Sequence, residues 1–285
     1  GGFDGRALSE RQRRFGHDVD SFLSLFARLQ AEQDERLRVG VALHSLRAVP
    51  AAAMHEAVGA LPGDTRVDIH LAEQIGEVQD CLSLRGARPV EWLLANAAVD
   101  TRWTLVHATH LTEAETVAIA DSGATVAICP TTEANLGDGL FPLRDYLDAE
   151  GRWGIGSDSH ISVSPVEELR WLEYGQRLIT RHRNIAVQDS TSVGESLLHG
   201  VVASAAASTG LAGEGDYVVL EDSAPIFAGA HAQDVIDRWI FSGNRAAIRE
   251  VHVGNRRVVE AGRHAQHEAI ASEFQRTLRA LLADA

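Results

Sequence analysis

Val67-Asp68-Ile69-His70-Leu71-Ala72-Glu73 decides how the rest of the chain is read. Its first five residues form a short apolar run, too short for an ordinary helix and rich enough in branched side chains for a buried strand. A histidine stands at the end of that run, and a glutamate follows three residues later. The pattern recurs on both sides. Val39-Gly40-Val41-Ala42-Leu43-His44, Trp103-Thr104-Leu105-Val106-His107, Thr125-Val126-Ala127-Ile128-Cys129 and Trp153-Gly154-Ile155-Gly156-Ser157-Asp158 are runs of the same kind. Histidine closes two of them and aspartate a third.

Helical punctuation fills the intervals. Pro50, Pro89, Pro142 and Pro165 stand where a first helical residue is expected. Ser9 with Gln12 and Thr112 with Glu115 have the spacing of capping boxes. Gly123, Gly151 and Gly210 follow helical stretches as helix-ending glycines do. Strands alternating with helices predict a parallel sheet with helical crossovers, five units of it within residues 39–210. The character changes after Gly213. Asp216–Asp222, Val251–Val253 and Arg257–Glu260 read as short strands, with Gly254-Asn255 as a hairpin turn. Residues 213–262 are therefore expected to form a small β unit, and residues 263–285 a C-terminal helix. That helix spans about 266–283 and carries Phe274, Leu278, Leu281 and Leu282 on one side.

Composition narrows the function. The 285 residues carry 26 Lys+Arg against 40 Asp+Glu, a net charge of −14. Such a chain repels phosphate backbones and anionic membrane surfaces. Two cysteines, Cys81 and Cys129, suit neither a disulfide scaffold nor a cysteine zinc site, and fit a reducing cytoplasm. No apolar run reaches the roughly 20 residues of a membrane helix. Gly154-x-Gly156 lacks the third glycine of a dinucleotide loop, and no G-x-S-x-G nucleophile elbow is present.

The strand ends carry the chemistry. In an α/β barrel the C-terminal ends of the strands meet at one mouth. His44, His70, His107 and Asp158 would then converge although they lie far apart in sequence. Imidazole nitrogen with carboxylate oxygen is a ligand set for zinc and similar divalent ions. Glu73, just past His70, is placed to move a proton over such a site.

These residues, with Leu105-Val106-His107-Ala108-Thr109-His110-Leu111, Cys129-Pro130-Thr131-Thr132-Glu133-Ala134-Asn135-Leu136-Gly137-Asp138-Gly139 and Gly154-Ile155-Gly156-Ser157-Asp158-Ser159, resemble the deaminase branch of the amidohydrolase superfamily. Three further stretches make the chain similar to the formimidoylglutamate deiminases within it: Gln12-Arg13-Arg14-Phe15, Leu43 to Pro50, and Ser162 to Trp171. The resemblance implies a (β/α)8 TIM-type barrel. Residues 1–212 would supply its fourth to eighth strands, and residues 213–262 part of a small β-sandwich domain. It implies one zinc ion held by His70 and Asp158 together with an H-x-H pair. The 285 residues contain no H-x-H. With three barrel strands and an initial Met also missing, the chain is expected to be the C-terminal part of a longer protein.

The resemblance also implies roles. Asp158 accepts a proton from the attacking water, His107 orients that water, and Glu73 protonates the departing nitrogen. His44 and Arg47 bind the substrate, N-formimino-L-glutamate, whose carboxylates suit the planar fork of an arginine. The products are N-formyl-L-glutamate and ammonia. The expected enzyme is cytoplasmic and homodimeric when complete, with no nucleic-acid or membrane partner. Two other readings stay open on the residues: a deaminase of a purine, pyrimidine or triazine, and a non-catalytic protein built on a partial barrel.

Overall fold

The computed structural model describes residues 2–3, 5–188, 192–211 and 213–283. Five parallel strands, β1 (Val41–Ser45), β2 (Val67–Leu71), β3 (Trp103–His107), β4 (Thr125–Ile128) and β5 (Arg152–Ile155), lie side by side in sequence order. Each is joined to the next through helix, as parallel pairing demands. Four more strands, β6 (Tyr217–Leu220), β7 (Ile248–Val253), β8 (Arg256–Glu260) and β9 (Arg263–His264), form a separate antiparallel sheet in sequence order. The chain divides into two compact units, Gly1–Leu211 and Ala212–Ala285.

The parallel sheet is built around a continuous core. Val67, Ile69 and Leu71 of β2, Trp103 and Leu105 of β3, and Val126 and Ile128 of β4 are almost wholly buried. The helix Val193–Thr209 approaches the sheet through Gly200, where a Cβ would come within 2.5 Å of the Trp153 ring. Any larger residue there would push the helix off β5.

Both expected capping boxes form, on Ser9 and on Thr112. Pro89 and Pro165 open their helices, whereas Pro50 and Pro142 stand one place earlier, as the residues that precede them. Gly123 and Gly210 end helices in the left-handed conformation. Gly151 does not: Glu150 takes the positive φ of 56° there. Gly151 is required for space instead, because a Cβ would lie 2.3 Å from the Tyr146 ring. Asp18 caps a twelve-residue helix, Val19–Gln30, that the strand-and-helix pattern had not called for. In the second unit, Gly254 and Asn255 turn the β7–β8 hairpin with φ of 54° and 62°. A helix, Val235–Phe241, interrupts what was expected to be an all-strand segment. The last helix spans His267–Ala283, close to its expected limits.

Candidate functional site

The C-terminal rim of the parallel sheet gathers the residues singled out above. His44 lies in β1 and His70 in β2, each one residue before the strand's last; His107 is the last residue of β3. Asp158 lies three residues beyond β5, in the loop rather than at the strand end. The His44 and His70 rings are 5.5 Å apart, and the His70 and His107 rings 5.6 Å. Ligand atoms of His70, His107 and Asp158 all lie within 4.8 Å of one another. A cleft of about 300 Å³ is lined by His44, Ser45, Arg47, His70, Glu73, Gln74, Glu77, His107 and Asp158. All six expected site residues thus border one space. A larger cavity of about 980 Å³, between the N-terminal segment and β1, shares His44 and Arg47 with it.

Backbone geometry explains how the set converges. Leu71 pairs with His107 across β2 and β3, so strand alternation alone would turn His107 to the side of Leu71, away from His70. His107 has φ 71°, and this left-handed turn breaks the alternation and lets the two rings approach. Ala72, Ala108 and Asp158 are left-handed as well, with φ of 51°, 49° and 44°. Such conformations cost an L residue roughly 1–3 kcal/mol and collect where function requires a side chain at a set position.

Hydrogen bonds fix the rings. The Nδ1 of His70 is 2.7 Å from the carbonyl of His44. A carbonyl only accepts, so Nδ1 carries the proton and Nε2 is left with a lone pair for a metal. The Nδ1 of His107 is 3.2 Å from Oε1 of Glu133, and its Nε2 is 3.8 Å from Oε1 of Glu73. Glu77 accepts the backbone N–H of Ala72 and of Glu73, one on each oxygen, and so grips the loop that carries Glu73. Arg85 donates to the carbonyl of Leu46 at 2.8 Å and lies over the Trp92 ring at 4.1 Å, which steadies the turn bearing Arg47.

Electrostatics follow from this crowding. Burial raises the Glu73 pKa, against a lowering by His107. Burial pulls His107 down, but the hydrogen bond and charge of Glu133, with Glu73 and Asp158, outweigh it and leave the pKa raised. His44 is lowered by its loss of solvent and then by His70 and Arg47 beside it.

Glu77 and Glu133 are the members that residue patterns had not assigned a task. Both are nearly buried, at 7% and 3% exposure. Glu133 stood within a quoted motif, and Glu77 follows Glu73 at helical spacing, but neither position discloses burial.

The amidohydrolase family model matches residues 19–194. The chain belongs to the amidohydrolase family. It is 44% identical to the formimidoylglutamate deiminase of Pseudomonas aeruginosa, over 99% of this chain and 64% of that protein. It therefore spans about 64% of the length of this curated relative. The chain is similar in structure to an amidohydrolase from Brucella melitensis, with 41% identity and a TM-score of 0.93, covering 99% of this chain and 64% of that one. An adenosine deaminase from Xanthomonas campestris with bound zinc shares the fold at a TM-score of 0.78 and 22% identity, covering 92% of this chain and 62% of that one. The five-strand parallel sheet and the separate antiparallel sheet are thus an amidohydrolase-family α/β fold. No helix among the described residues is long and apolar enough to cross a membrane.

Proposed function

We propose that this amidohydrolase is a zinc-dependent deiminase that hydrolyses N-formimino-L-glutamate to N-formyl-L-glutamate and ammonia. One observation carries the reading: Arg47 and His44 line the same cleft as His70, Glu73, His107 and Asp158. A guanidinium beside a hydrolytic site suits a substrate bearing carboxylates, and a neutral heterocycle gives it no task. The 44% identical relative supports the same substrate. We read the five parallel strands as the fourth to eighth of a (β/α)8 barrel, with residues 213–262 as part of a small β domain.

The donors of this chain suit part of the ligand set of a zinc ion, which we take to be a single one. His70 offers Nε2, because its other nitrogen is engaged, and Asp158 offers a carboxylate; these are donor types that zinc takes. Zinc held there would bring the pKa of an attacking water toward about 7. The residues of the chain do the rest. Asp158 accepts a proton from that water. His107 hydrogen-bonds to the water through Nε2 and aims it at the formimino carbon. Glu73, above the same space, delivers a proton to the imino nitrogen as the carbon–oxygen bond forms. The proton taken up by Asp158 then passes to the same nitrogen, and the new hydroxyl returns its proton to Glu73, so that the C–N bond breaks, the formyl carbonyl forms and ammonia leaves. His44 and Arg47 hold the glutamate portion.

The test is ammonia release by the complete zinc-loaded protein from N-formimino-L-glutamate, beside guanine, adenosine and an aminotriazine. Turnover of the formimino compound alone supports the proposal; preference for a heterocycle overturns it. Sedimentation of the same preparation tests the homodimer that the resemblance implies.

A further inference from the structure

The stretch Cys129-Pro130-Thr131-Thr132-Glu133 carries part of the family resemblance, yet the chemistry above leaves Glu133 without a task. Its side chain is buried, and its Oε1 meets two groups: Nδ1 of His107 at 3.2 Å and the backbone N–H of Cys129 at 2.9 Å. Two roles compete for this trio. His107, Cys129 and Glu133 offer ligand atoms within 4.8 Å of one another, as a second metal would require. A cysteine ligates as its thiolate. Burial, and after it the charges of Glu133, Asp158 and Glu168, push the Cys129 thiol far above its ordinary range. The sulfur also points to the carbonyl of Ala127, at 3.9 Å, as a protonated thiol would. The metal role is the weaker one.

We infer that Glu133 is a positioning residue, a hydrogen-bond hook that holds the Nδ1 proton of His107 and so keeps Nε2 facing Glu73 and the cleft. The left-handed backbone of His107 makes such a hook necessary, because an L residue keeps φ 71° only where its surroundings enforce it. Such partners fix the tautomer and orientation of metal-bound histidines, where their loss typically lowers metal affinity or activity 10- to 100-fold, and a ring that orients a water needs fixing in the same way. Both contacts end on a single oxygen, Oε1. An amide oxygen has two lone pairs and can accept both. The acceptor is therefore essential and the charge is not.

What Nε2 does for the reaction rests on the proposed deiminase activity; what Glu133 does to Nδ1 rests on geometry alone. The experiment separates them. The complete zinc-loaded protein is labelled with ¹⁵N-histidine, and the His107 ring signals are assigned by their loss in His107→Gln. Wild type and Glu133→Gln are expected to show the Nδ1–H tautomer, with Glu133→Gln losing no more than about threefold in kcat. Glu133→Ala is expected to lose that tautomer and to fall about 10- to 100-fold in kcat, with KM little changed. Glu133→Met, which keeps the volume without the acceptor, stands in if the alanine variant does not fold. An unchanged His107 spectrum in Glu133→Ala or Glu133→Met overturns the hook. So does a Glu133→Gln variant as impaired as the alanine, or a second equivalent of zinc that Cys129→Ser removes. If the wild type releases no ammonia from the formimino substrate, the deiminase reading fails, and the His107 spectra still decide the role of Glu133.

Discussion

The rim of the parallel sheet and the antiparallel hairpins of the second unit both hold L residues in the left-handed conformation, for opposite reasons. In the second unit Asn255 and Ala261 sit in the turns between β7 and β8 and between β8 and β9. A turn needs the backbone, and glycine would serve there equally well. On the rim the strained residues include His107 and Asp158, whose ligand atoms lie within 4.8 Å of each other and of those of His70. Burial differs in the same sense. Glu77, Glu115, Glu133, Glu168 and Glu173 are buried in the first unit, each hydrogen-bonded. Among the described residues of the second unit only Phe227 and Ile240 are buried. Strain that a glycine could relieve marks a turn. Strain kept by chemically reactive side chains, above buried carboxylates, points to a candidate site.

Substitutions at five positions in the complete protein would break or sharpen this contrast. The largest effect is expected from His70→Ala and from Asp158→Asn. Each should lose bound zinc, measured by atomic absorption, and with it all turnover above background; full zinc retention by either would remove that residue from the ligand set. Glu73→Gln should keep its zinc and lose roughly 10²- to 10⁴-fold in kcat, because a proton carrier has been removed and not a ligand. Zinc loss equal to that of His70→Ala would merge the two roles.

Arg47→Met should lower kcat/KM for N-formimino-L-glutamate by about 10- to 100-fold, since a charge-assisted pair contributes about 1.5–3 kcal/mol. Zinc content should be unchanged, and a formamidine without carboxylates should be hydrolysed equally by both proteins. Lysine at this position should restore only part of the loss, lacking the planar fork. The smallest effect belongs to the second unit. Ala261→Gly relieves a φ of 49° in a hairpin turn and should raise the melting temperature slightly, by a change under about 1 kcal/mol, with activity unaltered. A marked loss of activity in Ala261→Gly would show that strain in the hairpins also serves the site.

The five parallel strands, most of the helix starts, the β7–β8 turn and the last helix were legible in the sequence because each depends on neighbouring residues. Apolar runs of strand length, Thr112 with Glu115, and Gly254-Asn255 are read within a few positions of the chain. So were the residue types of the site, since histidine recurs near the ends of three runs. The helix Val235–Phe241 escaped although Asp234, a residue type that favours helix starts, precedes it, because seven residues are too few to show a helical period. Glu133 and Glu77 escaped for another reason. A glutamate is ordinarily a solvated surface group. What sinks these two is the arrival of partners, His107 for Glu133 and the loop N–H groups of Ala72 and Glu73 for Glu77.

By itself, then, the sequence determined a parallel α/β sheet with a second β unit, and a set of histidines and acids at its strand ends. Local periodicity and capping suffice for that. Only the tertiary structure decided that His107 turns against the strand alternation to meet His70, that Asp158 joins from the loop beyond β5, and that Arg47 opens onto the same cleft. Those outcomes depend on how parallel strands stack side by side and on which distant groups can satisfy a buried charge. Neither is a property of any short stretch of chain.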